Sequence, residues 1–319
     1  MTTHSIYLTE ERLAIQATAR KFAMEEVLPV ANELDPLKKE VPSEMLARMG
    51  ELGYFGIYVP KEQGGMVLGI FEYCLITEEL ARAWMSVGSL IARGHYLGVD
   101  VADEERRLAL LRQNAKGVRM GAVALSEPNV GSDLASIECR AVRDGDEWVI
   151  TGEKKWCGNA LRGDFIHLVA QTGYPEGKHP AIGLKAFVIE KKRNEWPDGM
   201  TGEAIPKIGY HGIESYRLHI NGLRVPHANM IVTRAEQGKN MFDAAKKGLA
   251  IARVHTAARA IGLARGALED ATAYAKRRIQ FRRPIAKFQA IRFKLADMAH
   301  KEPHAPSCTK SPTKLIAAT

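Results

Sequence analysis

The chain has 319 residues, 46% of them hydrophobic and 7% aromatic, and a formal charge of +8. That length predicts two or three domains of ordinary globular composition, and the absence of any run of about eighteen apolar residues excludes a membrane-spanning helix. Residues Met1 to Glu11 carry acids and neither an apolar nor an arginine-rich leader, so a cytoplasmic location is expected. Cys74, Cys139, Cys157 and Cys308 are widely spaced without a C-x-x-C, and they read as reduced thiols with no metal site.

Residues 1–118 read as a helical domain. Thr9 can cap a helix in which Ile15, Ala19, Phe22, Ala23, Val27, Val30 and Leu34 recur at steps of three and four, ended by Asp35-Pro36. A second helix is expected from Ser43 to Leu52, stopping at Gly53. The loop Tyr58-Val-Pro-Lys-Glu-Gln-Gly-Gly65 leads into a long apolar helix from about Leu68 to Gly94, and another spans Ala102 to Lys116. No titratable cluster is expected here.

Residues 119–233 change to a period of two, predicting a β-barrel or sandwich domain. Asp144-Gly145 sits between Val142 and Ile150 as a hairpin turn, and further strands are expected at Phe165–Ala170, Lys185–Ile189 and Tyr216–Ile220. No strand is followed by G-x-G-x-x-G and no P-loop pattern occurs, which excludes the usual nucleotide folds. The stretch Leu125-Ser-Glu-Pro-Asn-Val-Gly-Ser-Asp133 combines small, turn-forming and hydroxyl residues. Such a strand end suits a backbone that approaches a planar, anionic cofactor, with Gly131 allowing close approach.

Residues 234–299 return to helix, nearly unbroken from Asn240 to Arg278, with Gly262-Leu-Ala264 spaced for close packing. Pro284 breaks it and a new helix begins near Phe288. From Lys276 to Lys294 there are eight basic residues and no acid; such a block can meet nucleic acid, a membrane surface or cofactor phosphates. Residues 300–319, with His300-Lys-Glu-Pro-His-Ala-Pro and Pro312, lack an apolar period and read as a disordered tail.

The α+β order, helical then β-rich then an incomplete helical bundle, together with these segments, resembles the acyl-CoA dehydrogenase family from about Leu8 to Ala299. Leu125-Ser126-Glu127-Pro128 is similar to the family's flavin-binding strand, and Ser132 to a hydroxyl that contacts flavin and acyl-CoA. Trp156 is similar to an aromatic packed near the isoalloxazine, with Gly158 beside flavin N5. Leu223-Arg-Val-Pro226 resembles a family strand end, and Arg253 an arginine lining the active site and substrate. Arg278, Phe281 and Gln289 resemble the turn that holds FAD across a subunit interface.

The resemblance implies FAD, an acyl-CoA substrate, an electron-transfer flavoprotein as acceptor, and a homodimer or homotetramer; nucleic acid is not an expected partner. It implies α,β-dehydrogenation of a thioester, in which a carboxylate removes the α-proton. Three positions depart from the pattern. The usual catalytic glutamate segment is missing, and Ala252 stands where a minority of the family places that glutamate, so the chain reads as a carboxy-terminally truncated member. Gly158 replaces a hydroxyl residue, and Arg282 replaces a glycine. Two further readings remain: a flavin-dependent oxidase or monooxygenase of the same fold, and a non-catalytic relative that binds DNA through the basic block. Glu127 is expected to be structural, and Glu214 an ordinary loop charge.

Overall fold

The computed structural model describes residues 7–93, 104–231 and 241–301, and the backbone alone of 241–247. The expected tail beyond Lys301, the termini of the helices expected near Gly94 and Ala102, and Cys308 lie outside the described residues. The chain divides into two compact units, one formed by Met1–Leu37, Leu68–Ser89 and Ala250–Thr319, the other by Lys38–Val67 and Leu90–Leu249.

The first unit is helical. Helix α1 (Glu10–Phe22) is capped by Thr9, whose Oγ1 accepts the Arg12 N–H at 3.3 Å. The stripe continues to Leu34, but through a wide π turn at Ala23–Val27 before α2 (Leu28–Leu34). Pro29 explains the wide turn: it has no N–H for the preceding turn, and a normal α repeat would clash with its ring.

The long helix expected from Leu68 is interrupted. Helix α4 covers Ile70–Ala83, Trp84 is extended (φ −155°, ψ 110°), and α5 (Met85–Leu90) restarts the helix. The indole of Trp84 is buried, and its Nε1–H donates to Asp35 Oδ1 at 3.0 Å, so the break satisfies a donor that a continuous helix would leave elsewhere. Helix α7 (Met241–Arg277), from Ala250 onward, and α8 (Gln289–Lys301) close the unit. A Cβ at Gly262 would lie 2.2 Å from the Glu78 carbonyl oxygen, so α7 and α4 approach as closely as only glycine permits.

The expectation of no titratable cluster among residues 1–118 is overturned. Glu78 and Glu79 on α4 pair with Arg265 at 2.6 Å each, Arg20 reaches Glu79 at 3.2 Å, and Arg82 reaches Glu269 at 2.8 Å. These side chains stitch α1, α4 and α7 together. Glu78 and Glu79 are 6% and 1% exposed, so their charges are held by partners and not by water.

The second unit contains α3 (Ser43–Glu51), α6 (Glu104–Ala115) and a seven-stranded sheet. Its strands are β1 (Gly121–Ala124), β2 (Arg140–Asp144), β3 (Glu147–Gly158), β4 (Phe165–Gln171), β5 (Leu184–Glu190), β6 (Met200–Ala204) and β7 (Ser215–Pro226). The order is β1-β4-β2-β3-β7-β6, with β5 also on β4. The β2–β3 hairpin closes at Asp144↔Glu147, with Gly145 at φ 58°. The β1–β4 and β2–β4 pairs are parallel, which the alternation alone did not foretell. Inward residues Ala122, Ile150, Leu168, Phe187, Leu218 and Ile220 are at most 3% exposed and form the core of this half-barrel.

Candidate flavin and thioester site

The segment after β1 is held by a buried ion pair. Lys154 Nζ lies 2.8 Å from Glu127 Oε1, with the two side chains 0% and 3% exposed, and it also donates to the Leu125 carbonyl at 3.1 Å. The Glu127 carboxylate further accepts the N–H groups of Glu138 at 2.7 Å and Cys139 at 3.0 Å. Those bonds commit the Glu127 carboxylate to holding the loop. Lys155 N–H to Ser126 O at 2.8 Å completes the seam between the loop and β3. Lys154 escaped the sequence reading. Its signal was register: it follows Ile150 and Gly152 on the inward face of β3.

Strand β3 then bulges. Lys154 faces Leu218 and Cys157 faces Tyr216, so three steps on β3 match two on β7. The extra residue leaves Trp156 at φ 64° and 56% exposed, while Cys157 is fully buried. A left-handed backbone at a bulky residue costs on the order of 1–2 kcal/mol, and such strain concentrates at functional positions. Burial pushes the Cys157 thiol up to about 12, so it stays protonated and inert at neutral pH.

Gly158 pairs with Ser215 across the strands. A Cβ on Gly158 would sit 3.1 Å from Arg93 Nη2, 3.7 Å from Ile213 Cγ2 and 3.9 Å from Ser215 Oγ. Glycine at 158 therefore makes room for a guanidinium. Glu214 exceeds the expected loop charge, because it accepts the Tyr216 hydroxyl's hydrogen bond; burial and that carboxylate push the Tyr216 pKa upward.

Beyond Glu127 a tight turn closes through Glu127 N–H to Val130 O at 2.8 Å and its return bond at 3.3 Å. It presents Gly131 and Ser132 at the surface, with no protein atom within 4 Å of a Cβ on Gly131. The hydroxyls of Ser126 and Ser132 are given to no acceptor among the described residues. An exposed indole, an open glycine and uncommitted donors on one rigid strand seam fit a planar, anionic cofactor such as FAD.

The second unit thus carries Leu125, Ser126, Ser132, Trp156 and Gly158, whereas the first carries the rest. Ala252 and Arg253 are exposed on α7, next to His255, which is buried with Nε2 2.8 Å from Gly88 O and its ring stacked on Tyr73 at 5.0 Å. Arg278 follows the last residue of α7, its N–H donating to Tyr274 O at 2.9 Å, and a two-strand ribbon, β8 (Ile279–Gln280) with β9 (Arg283–Pro284), turns the chain back. Phe281, 86% exposed, tops that ribbon and meets Phe288 edge-on at 6.0 Å; Gln289 opens α8.

Known proteins match this arrangement along nearly the whole chain. Residues 9–117 match the acyl-CoA dehydrogenase N-terminal domain, 122–223 the middle domain, and 242–306 the C-terminal domain. The chain is 35% identical to (2S)-methylsuccinyl-CoA dehydrogenase of Cereibacter sphaeroides over 92% of its own length and 54% of that protein's. It is 33% identical to an acyl-CoA dehydrogenase of Bacillus subtilis over 92% of its length and 76% of the relative's. Among solved structures, a glutaryl-coenzyme A dehydrogenase in complex with glutaryl-CoA superposes with a TM-score of 0.84 at 26% identity, covering 99% of this chain and 78% of that one. With all three domains matched in order, the chain belongs to the acyl-CoA dehydrogenase family.

Proposed function

We propose that the chain holds FAD against the seam of Leu125, Ser126, Trp156 and Gly158, and that it receives an acyl-CoA thioester there for α,β-dehydrogenation. Bound flavin would supply the hydride acceptor. The chain's own part is placement. The Lys154–Glu127 pair fixes the loop, the bulge turns Trp156 outward, and the Ser126 hydroxyl and neighbouring amides offer donors to the ring edge. Ser132 and Arg253 are assigned to the thioester, and Arg278, Phe281 and Gln289 to the phosphates and adenosine of FAD, whose charge suits a guanidinium. The division into 1–118, 119–233, 234–299 and 300–319, a flavoprotein electron acceptor and a homo-oligomeric assembly belong to the same reading. Removal of the α-proton is the step these residues do not supply at the position before Arg253, since Ala252 has no acceptor.

The outward Trp156 at its strained bulge carries this proposal. Its test is a titration of the folded protein with FAD, followed by tryptophan fluorescence and by visible absorbance after desalting. Quenching with retained yellow colour, both weakened in Trp156→Ala, is the expected result. Folded protein that neither quenches nor retains flavin would end the reading.

A further inference from the structure

Two lysines stand side by side in the seam assigned to flavin, and only one of them is neutralised. The Lys154 ammonium is fully buried and faces the Glu127 carboxylate at 2.8 Å, so its charge is cancelled inside the strand. Lys155, one step on, is half-buried, and its N–H is fixed to Ser126 O at 2.8 Å. Its Nζ lies 5.5 Å from the centre of the Trp156 ring. Among the described residues the Lys155 side chain meets no carboxylate and makes no hydrogen bond. Glu127, Lys154, Lys155 and Trp156 all belong to the same unit. Together they carry one uncompensated positive charge, and it stands over the exposed indole.

A cation resting on the face of an exposed indole is a weak contact by itself. Its consequence comes from what the indole is next to. Flavin beside Trp156 would meet that ring with centres about 4.5–7 Å apart, which keeps the ammonium within about 13 Å of the cofactor ring whichever face each one takes. Uptake of two electrons and one proton at neutral pH leaves the flavin with one more negative charge than before. A cation held at that range favours the reduced form over the oxidised one. Lys154 cannot supply this effect, because Glu127 offsets it.

We propose that Lys155 tunes the bound flavin, its ammonium over Trp156 making the cofactor easier to reduce than the ion-paired seam alone would. The inference rests on the FAD reading above. It adds to that reading the residue that sets the cofactor's electron affinity.

The test compares wild type with Lys155→Met, Lys155→Arg and Lys155→Glu, each loaded with FAD. Every protein is equilibrated without oxygen against a reference dye and a reductant, and the midpoint potential is read from the two absorbances. Wild type and Lys155→Arg should be highest, Lys155→Met lower and Lys155→Glu lowest. By linkage, wild type should favour reduced over oxidised FAD by about threefold to tenfold more than Lys155→Met does. That gap should narrow as salt rises from about 0.01 M to about 1 M, where the screening length falls from about 30 Å to about 3 Å. Altered packing would not follow salt. Equal potentials in wild type and Lys155→Met, an arginine variant lowered as far as the methionine one, or a gap indifferent to salt would overturn the assignment while leaving FAD binding intact. A folded wild-type chain that retains no flavin would remove the FAD reading and the inference together. Lys155→Gln takes the place of Lys155→Met if the methionine variant folds poorly.

Discussion

Two single positions expose how this chain differs from the pattern it resembles. Arg282 follows Phe281 in the β8–β9 turn, and both have left-handed backbones, at φ 64° and 52°. The glycine that the resemblance places after the phenylalanine is what a two-residue turn of this hand wants. Arg282→Gly should therefore stabilise the protein by on the order of 1 kcal/mol, read as a higher urea midpoint with an unchanged slope. A lower midpoint would mean that Arg282 makes contacts that outweigh its strain. Ala252 is the second position. It is exposed on α7 immediately before Arg253, and a carboxylate introduced there would place a proton acceptor at the position where a minority of the resembled family has one. Ala252→Glu should speed anaerobic bleaching of bound flavin by a thioester by about a hundredfold or more. Bleaching no faster than in the parent chain would show that the position does not face the α-carbon.

At the scale of elements, strands β3, β4, β5 and β7 were legible because branched and aromatic residues alternate along them and Gly, Pro or Asp-Gly separates them. Strand β1, Gly-Ala-Val-Ala, and β6, Met-Thr-Gly-Glu-Ala, carry little of that signal, and β1 gains its identity only from pairing in parallel with a strand some forty residues on. Of the site, the loop from Leu125 to Ser132 and Trp156 stood out by residue type. The bulge and the guanidinium beside Gly158 did not, since both depend on which residues face each other across β3 and β7. The ion-pair seam between α1, α4 and α7 leaves no mark in the apolar period of α4. Its charges at Glu72, Glu79 and Arg82 fall on one face at helical spacing. Arg265 joins Glu78 and Glu79 with 16% of its side chain exposed, so its removal takes the shared guanidinium from two buried carboxylates and leaves Glu79 to Arg20 and Gln16. Arg265→Met should cost about 3–5 kcal/mol in denaturant unfolding. A loss under about 1 kcal/mol would mean that water replaces the guanidinium.

Across the whole molecule, acid is the condition under which these local arrangements act together. His167 lies on β4 between register partners Val123 and Val188, its Nδ1 buried and without a hydrogen-bond partner, and burial pushes its pKa down to about 4 from 6.5. Above pH 6.5 the imidazole is neutral in both folded and unfolded chains, so its environment costs nothing there. As pH falls from 6.5 toward 4 the unfolded chain takes up a proton that the folded chain refuses, and stability declines. The carboxylates act lower. Burial alone would raise Glu72 and Glu269, but hydrogen bonds and charge from Arg12 on the one and from Arg82 and Arg20 on the other hold both below the ordinary 4.5. Their contribution is complete above that value and is lost as pH falls through their folded-state values. The melting temperature should therefore fall in two overlapping stages, the first beginning near pH 6.5. His167→Leu should flatten that first stage and leave the second in place. A wild-type profile that is flat from pH 6.5 to about 4.5 would show that the folded chain protonates His167 readily, and the burial of its Nδ1 would have to be given up.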